Sequence, residues 1–215
     1  MKKIFTFLFS LLLAMVATDA AAQLHFGFGY TRTIDSFNYP VLNNAKAETS
    51  LNGVYAGIGV TIPVTQMLGI TPGVYYSYNT DIDKDDIYGT SKVNSFTSEH
   101  YVKGVLDLSL KLPFTNDLAL LVFAGPRYAY GISSQKTYDT NISGIDKVTI
   151  DKYDPDLWYA YARGNFLVGA GAGLEFMNSL RLQVGYDYGL SNRYTGKLNV
   201  VHSDSMLNVG LAVIF

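Results

Sequence analysis

Residues 206–215 read MLNVGLAVIF. Large apolar side chains occupy every second position from Leu207 to Phe215, and small or polar side chains fill the positions between them as far as Ala212. Ile214 is the one bulky exception on the second face. This period-2 alternation predicts a β-strand with one apolar face and one small or polar face. A strand of this kind that ends on an aromatic residue favours a closed β-barrel, because the last strand of a barrel pairs with the first and removes the sheet edge.

The same stretch resembles the C-terminal signal by which barrel-assembly machinery recognises outer-membrane proteins. That signal combines a polar residue, a glycine, a hydrophobic residue and a final aromatic residue at fixed spacing. Asn208, Gly210, Val213 and Phe215 fill these constrained positions. The resemblance implies that barrel-assembly machinery is a partner of the chain during membrane insertion.

The beginning of the chain has the pattern of a secretory signal peptide. Two lysines precede an apolar run at residues 4–16, and three alanines come directly before Gln23. The apolar run is short for a transmembrane helix, which leaves an N-terminal anchor helix as the alternative. We expect residues 1–22 to be a cleaved signal peptide and residues 23–215 to form one outer-membrane β-barrel domain.

The composition fits a membrane protein that spans as strands. The 215 residues include 20 Gly and 17 Tyr but no Cys, and the formal net charge is −2. Without Cys no disulfide framework can form, and this charge gives no footprint for nucleic-acid binding. No segment after the signal peptide is apolar enough for a spanning helix, whereas the strands of a membrane barrel give only a weak hydropathy signal.

Period-2 alternation recurs along the chain and predicts a series of strands. Three connections are tight turns and four are long and polar, as in outer-membrane barrels. The sequence therefore predicts an all-β fold: an eight-stranded antiparallel transmembrane up-and-down β-barrel with long extracellular loops and short periplasmic turns. The predicted strands are residues 24–33, 53–62, 68–78, 99–112, 118–130, 163–176, 180–190 and 206–215. The predicted long loops are residues 34–52, 79–98, 131–162 and 191–205.

Outward-facing tyrosines repeat just before the long loops. Because an aromatic ring with a polar tip favours the membrane interface, these side chains predict an outer aromatic girdle at one height. A soluble β-sandwich or a lipocalin-like barrel is the alternative. Its solvated face would carry more Lys and Glu than the Gly, Ala, Ser and Thr of the second face here, and small residues suit a narrow lumen. The predicted girdle residues are Tyr30, Tyr76, Tyr78, Tyr128, Tyr130, Tyr186 and Tyr188.

The positions predicted to face the lumen carry charges of both signs. A charge in a narrow interior persists only when it is paired, and an eight-stranded barrel is just wide enough for its own side chains. A salt-bridged plug is therefore favoured over a charge-lined conduit for a small solute. The predicted lumen charge network consists of Lys103, Asp107, Lys111, Arg127, Arg163, Glu175, Arg181 and Asp187.

The sequence offers few tools for catalysis or metal binding. His202, Ser203, Asp204 and Ser205 are residue types used in nucleophilic catalysis, but they are interpreted as a polar loop that leads into the last strand. The acidic run that starts at Asp81 lacks the glycine and the final glutamate of a calcium loop. It is interpreted as a surface loop, with divalent-ion bridging to lipopolysaccharide as the alternative. No catalytic residue, cofactor site or metal site is predicted.

Three further residues stand out. His25 is predicted to face the lumen near the periplasmic mouth and His100 to lie at the outer rim, neither with an identifiable partner. Trp158, the only Trp in the chain, is interpreted as an interface anchor, with a contact residue of a binding surface as the alternative.

The predicted mature chain resembles the small outer-membrane β-barrel-domain proteins of Gram-negative bacteria, including the PorT-type family. The resemblance rests on the signal-peptide pattern, the Gly and Tyr alternation, the strand number and the ending at residues 208–215. It implies no cofactor and no catalytic residue. Some PorT-type members are implicated in secretion machinery, but no motif here carries that role over.

Three functions stay open at this point. The first is a non-enzymatic integral barrel, a structural or interaction protein of the cell envelope that acts through extracellular loops or as a subunit of a complex. The alternatives are a narrow porin-like channel for small solutes and an outer-membrane enzyme that acts on lipid. The expected partners are outer-membrane lipid, lipopolysaccharide, barrel-assembly machinery and an envelope protein, with no role for nucleic acid.

Overall fold

The computed structural model describes residues 22–40, 43, 45–87, 91–140, 147–157, 160–196 and 200–215. Nearly all of the predicted signal peptide, and Trp158, lie outside the described residues, so both predictions stay predictions. Within the described part of the chain, no helix has the length and apolarity needed to cross a membrane.

Antiparallel β-strands form one closed sheet. The strands are β1 (Gln23–Tyr39), β2 (Ala45–Pro63), β3 (Leu68–Ile87), β4 (Ser91–Pro113), β5 (Leu118–Thr140), β6 (Val148–Asp151), β7 (Gly164–Phe176), β8 (Leu180–Gly189) and β9 (Val201–Ile214). Strands β1 to β5 pair in sequence, β5 continues to β7, β8 and β9, and β9 pairs with β1 to close a ring of eight strands. The short β6 pairs with β5 alone. The predicted eight-stranded antiparallel barrel is confirmed.

The strands extend further at the end with the long connections than the sequence alternation predicts. The ladder between β3 and β4 runs out to the pair Ile87 and Ser91, and β1 stays paired with β9 as far as Asn38 and Val201. Most residues predicted as the first two long loops are therefore hairpin. The predicted strand ends were wrong for a physical reason. A pair of strands that extends out of the membrane into water needs no apolar face, so the period-2 hydrophobic pattern ends before the backbone pairing does.

The barrel is apolar on its outside and charged on its inside. Val54 is 61% exposed and Phe166 62% exposed on the outer surface, whereas Glu175 and Asp187 are almost fully buried in the lumen. An apolar surface of this extent is unfavourable in water but matches the lipid-facing band of a membrane barrel. The soluble sandwich and the lipocalin-like barrel are excluded, since both bury their apolar face.

Glycines make room for the large side chains that fill the lumen. A Cβ atom added to Gly169 would collide with the guanidinium of Arg127. A Cβ atom added to Gly210 would collide with the hydroxyl of Tyr55 and with the backbone carbonyl of Phe28. Gly210, which the sequence assigns to the assembly signal, is therefore also required by packing at this point of the lumen.

One β-bulge changes which residues face inward at the upper end of β5. Gly131 and Ser133 pair with the consecutive residues Tyr101 and His100, so one extra residue lies between them. A bulge of this kind reverses the side-chain parity beyond it. As a result, the side chain of Ser134 is fully buried and faces the outer part of the lumen.

Candidate functional site: the charged barrel lumen

The inner cluster, which lies near the short turns, consists of Lys111, Glu175 and Arg181. Glu175 and Arg181 are direct cross-strand neighbours on β7 and β8, and Arg181 Nη2 lies 2.9 Å from Glu175 Oε2. Lys111 from β4 pairs with the other carboxylate oxygen of Glu175 and donates to Asn178 Oδ1 at 2.8 Å. Two cations therefore share one buried carboxylate at this level.

The middle cluster consists of Lys103, Asp107, Arg127 and Asp187. Lys103 Nζ lies 2.6 Å from Asp187 Oδ2, and Arg127 Nη2 donates to both oxygens of Asp107 at 3.2 Å. Arg127 Nη1 also pairs with Asp187, and Asn208 Nδ2 donates to the same carboxylate at 3.1 Å. Two cations and two anions balance each other, which is the condition under which buried charge is tolerated.

A neutral layer lies above the middle cluster. The fully buried Asn79 donates to Thr33 Oγ1 at 2.8 Å and to the hydroxyl of Tyr101 at 3.1 Å. Tyr101 packs in one buried cluster with Leu167 and Met206. Aromatic and apolar side chains thus fill the cross-section of the barrel between the middle and the outer charges.

The outer cluster consists of Asp35, Arg193, His202 and Asp204 and lies where the first and last strands meet. Asp35 on β1 is the direct cross-strand partner of Asp204 on β9. His202 Nε2 lies 2.8 Å from Asp204 Oδ1 and 3.7 Å from Asp35 Oδ1. Arg193 pairs with Asp204 Oδ2 and donates to the hydroxyl of Tyr153 at 3.0 Å.

Aromatic rings fix the imidazole of His202. Phe37 is stacked on it with ring centroids 4.4 Å apart and an interplanar angle of 3°, and the ring of Tyr161 lies 4.6 Å away. The backbone N–H of His202 donates to Asn192 Oδ1 at 2.9 Å. The side chain is 2% exposed, so a large substrate cannot reach the imidazole.

The interpretation of residues 202–205 as a loop was wrong. These residues belong to β9, and the side chains of His202 and Asp204 are buried in the lumen. The period-2 pattern could have shown this, because both residues share parity with Asn208 and Gly210. The signal was missed because the outward positions upstream of Met206 are no longer consistently apolar.

Several groups at this end, which lies beyond the predicted tyrosine girdle, have shifted pKa values, and Asp35 and Tyr153 are two of them. Burial disfavours the charged form of Asp35, but the attraction of His202, Lys152 and Arg193 outweighs it and holds the pKa of Asp35 below its ordinary value. Burial raises the pKa of Tyr153 to about 12. Asp35 is therefore a carboxylate, and Tyr153 a neutral hydroxyl, near neutral pH.

The open space in the lumen is discontinuous. A cavity of about 60 Å³ lies in the inner half and is lined by His25, Tyr75 and Arg181 among others. A vestibule of about 220 Å³ lies at the outer end. Between them, at the level of Tyr101 and Glu99, is a void of about 10 Å³, which is about the space of one water molecule. These three spaces have no lining residue in common, and none of them joins the inner half to the vestibule.

The structure brings most of the predicted lumen charges into contact, but it does not bring Arg163 to them. Arg163 precedes β7 and donates to the carbonyl oxygens of Gly131 at 3.2 Å and Ile132 at 2.7 Å. Its guanidinium lies over the ring of Tyr153 at 4.6 Å. Arg163 therefore fastens the outer end of β5 and is not a member of the ion pairs below.

The predicted girdle tyrosines lie on the outward parity of their strands. Tyr128 packs against Phe166 with ring centroids 4.8 Å apart, and Tyr30 donates to Asn52. Tyr76, Tyr78, Tyr130, Tyr186 and Tyr188 also have partly or largely exposed side chains.

Both histidines predicted without a partner have one. His25 Nε2 lies 3.2 Å from the hydroxyl of Tyr75 in the lumen. His100 Nδ1 lies 2.6 Å from the hydroxyl of Tyr76 on the outer surface. Of the assembly-signal residues, Phe215 is 75% exposed at the end of the barrel, and its backbone N–H donates to the carbonyl of Leu24 at 2.8 Å.

Comparison with protein-family models gives a match over residues 17–194 to the outer membrane protein beta-barrel domain. The chain belongs to this family. The protein is therefore an outer-membrane β-barrel, and its short-turn end corresponds to the periplasmic side of such barrels. No curated protein matches the sequence.

Solved structures of other outer-membrane barrels resemble this chain in fold. The Yersinia pestis attachment invasion locus protein Ail, in complex with a heparin analogue, has 10% identity and a TM-score of 0.45, and the match covers 90% of this chain and 99% of Ail. OprG from Pseudomonas aeruginosa has 11% identity and a TM-score of 0.41, with coverage of 91% and 97%. Neisserial surface protein A has 11% identity and a TM-score of 0.38, with coverage of 88% and 97%.

Proposed function

We propose that the protein is a non-enzymatic, non-conducting barrel that serves the cell envelope as a structural or interaction protein and acts through its outer hairpins. The observation that carries this proposal is the filled lumen. Ion pairs occupy the inner and middle levels around a cavity of only about 60 Å³, and Asn79, Tyr101 and Leu167 fill the level above them. A barrel that neither conducts nor exposes a reactive group is left with its outer surface for function.

The surface beyond the girdle supports an interaction role. Ile82 and Phe96 are direct partners on the β3–β4 hairpin, and their side chains are 62% and 39% exposed. Val148 on the neighbouring β6 is 50% exposed. These apolar side chains lie beyond the lipid-facing band, where an exposed apolar patch is typical of a contact with another protein. The PorT-type resemblance fits a subunit of an envelope complex, while lipid and lipopolysaccharide would contact the band below.

A narrow channel is the second candidate. The inner cavity of about 60 Å³ is lined by polar side chains such as Lys103, Asp107 and Gln183, which suits a small hydrated solute. A channel would require the layer around Tyr101 to move aside. An enzyme acting on lipid is disfavoured because the ring of His202 is covered by Phe37 and Tyr161.

Crosslinking in intact cells tests the interaction role. The barrel is then purified in detergent, and the proteins that come with it are identified and quantified by mass spectrometry. We expect a stoichiometric envelope protein with the wild type, and its loss from the double variant Ile82→Glu and Phe96→Glu. Asn94→Glu is the matched control, because Asn94 is exposed on the same hairpin and removes no apolar side chain. A barrel that comes out alone in every case would contradict the proposal.

A further inference from the structure

Two carboxylates face each other at the outer end of the strand pair that closes the barrel. Asp35 and Asp204 are direct partners across the β1–β9 seam, and both side chains are buried. Like charges directly opposite on one face of a sheet destabilise the pairing. A cation between them would turn this repulsion into a link between the first and the last strand.

Asp35 has no ion pair with a lysine or an arginine among the described residues, although Lys152 and Arg193 attract it from further away. Arg193 pairs with Asp204, and Lys152 is engaged by Glu99 at 3.3 Å. Arg193 is thus paired with Asp204, and His202 is the neighbour that reaches Asp35. The imidazole can act here as a hydrogen-bond donor or as a ligand of a bound cation, and its geometry distinguishes the two.

The imidazole of His202 is placed as a ligand and not as a hydrogen-bond donor. Its Nε2 atom lies 2.8 Å from Asp204 Oδ1, yet neither ring nitrogen has a hydrogen-bond partner among the described residues. A short N–O separation without a hydrogen bond means that the oxygen lies off the N–H direction. Two ligands of one metal ion show the same geometry: their ligand atoms are close together, but the lone pair of each ligand atom points at the ion and not at the other ligand.

The donor set and its spacing suit a first-row divalent ion. One ligand atom each from Asp35, His202 and Asp204 lie within 4.8 Å of one another. The separations from His202 Nε2, 2.8 Å to Asp204 and 3.7 Å to Asp35, are within the span of about 4.4 Å that two ligands at about 2.2 Å from one zinc ion can have. Imidazole with carboxylate is a common donor set for such ions. Three protein ligands leave a further position open for water.

Neighbouring side chains hold the three ligands in place, and the outer vestibule lies next to them. Phe37 is stacked on the His202 ring, and Arg193 holds the second oxygen of Asp204. Support of this kind around a metal site orients its ligands and tunes their affinity. Asp35 also lines the outer vestibule of about 220 Å³, so the site borders open space on the external side.

We propose that Asp35, His202 and Asp204 bind a divalent first-row transition ion of the Zn²⁺ type, taken up from the external side, and that the ion fastens the seam between β1 and β9. The site lies apart from the hairpin surface that is proposed to bind a partner. The metal-site proposal therefore does not depend on the proposed interaction role. It uses no residue of the middle or inner clusters.

Zinc binding to the full chain tests the site. The protein is prepared without a polyhistidine tag, stripped with EDTA in detergent and dialysed against ZnCl₂, and bound metal is measured by mass spectrometry. We expect about one ion per chain and a loss of affinity of at least about tenfold in His202→Gln. His100→Gln and His25→Gln are matched controls that keep full binding, because both histidines lie outside the site.

Two additions keep the test decisive. Heat-modifiable migration on a gel shows whether each variant is folded, and Asp35→Asn carries the test if His202→Gln fails to fold. Co²⁺ substitution supplies a second readout, since a visible absorption band is expected in the wild type and lost in Asp35→Asn. Zinc uptake by the wild type that is no greater than uptake by the folded variants, together with a Co²⁺ spectrum equal to that of the free ion, would overturn the proposal.

Discussion

The middle and the outer clusters of the lumen both combine aspartates with basic residues, but they differ in how their charges are paired. In the middle, Lys103 and Arg127 neutralise Asp107 and Asp187 through close ion pairs. At the outer end, Arg193 pairs with Asp204, whereas the ion pair of Asp35 is with a histidine. Each carboxylate of the middle cluster therefore has a lysine or arginine partner within the protein. Asp35 has none among the described residues, and it borders the outer vestibule.

The difference also follows from position along the barrel. The middle cluster is surrounded by the lipid-facing band and its side chains are buried, so its charges must be satisfied within the protein. The outer cluster lies beyond the tyrosine girdle and borders the vestibule. We therefore propose that the outer cluster, unlike the middle one, is completed by a ligand from outside.

The largest effect is expected from breaking the middle cluster. Arg127→Met leaves Asp107 without its ion-pair partner and Asp187 with Lys103 as its remaining cation. We expect the free energy of unfolding to fall by about 3–5 kcal/mol, as for other broken buried ion pairs. Urea titration of the barrel in detergent, followed by tryptophan and tyrosine fluorescence, measures it. Arg32→Gln is the control, since the exposed Arg32 should change stability by less than about 0.5 kcal/mol. Equal losses in both variants would show that the middle ion pairs do not stabilise the barrel.

A bound ion should stabilise the outer cluster by a smaller amount. At a free Zn²⁺ concentration 100 times the dissociation constant, binding to the folded state alone adds about 2.7 kcal/mol to the free energy of unfolding. We expect this gain in the wild type and in Arg127→Met, because the middle cluster does not take part. The gain should vanish in Asp204→Asn. A zinc effect of the same size in Asp204→Asn would place the ion elsewhere.

The smallest effect concerns pH in the absence of metal. The pKa of Asp35 is lowered from its ordinary value of 3.8, so its carboxylate form is favoured in the folded state. Its contribution to stability is present above pH 3.8 and is lost as the pH falls through the folded-state value. Urea midpoints in EDTA, measured between pH 6 and pH 2, should fall less steeply in Asp35→Asn than in the wild type. Identical slopes would show that Asp35 gains nothing from its neighbours.

The barrel and the facing of its residues could be predicted from sequence because alternation records which side of a strand each residue occupies. Lys103, Asp107 and Asp187 were placed in the lumen on parity alone. Their pairing could not be predicted, because the contact between Lys103 and Asp187 depends on strand order and on the tilt of strands around the barrel. The facing of Asp35 opposite Asp204 depends in the same way on the register of the closing pair.

The outer end was harder to predict for a physical reason. Within the membrane, lipid forces outward residues to be apolar, and the period-2 signal is strong. Beyond the girdle, both faces of a hairpin contact water or polar side chains, so polar sequence cannot be distinguished from a loop. For this reason the sequence pattern predicts a loop at His202 and Asp204, although both lie on β9 in line with Asn208.

Conductance across a planar lipid bilayer tests the filled lumen most directly. The wild-type barrel is reconstituted, its insertion is verified by protease protection of the membrane-spanning part, and a general porin serves as the positive control for the same bilayer. The filled levels at Glu175, Asp187 and Tyr101 predict a current indistinguishable from that of the lipid alone. Discrete opening steps from the wild-type protein would contradict the plug and make the narrow channel the better description.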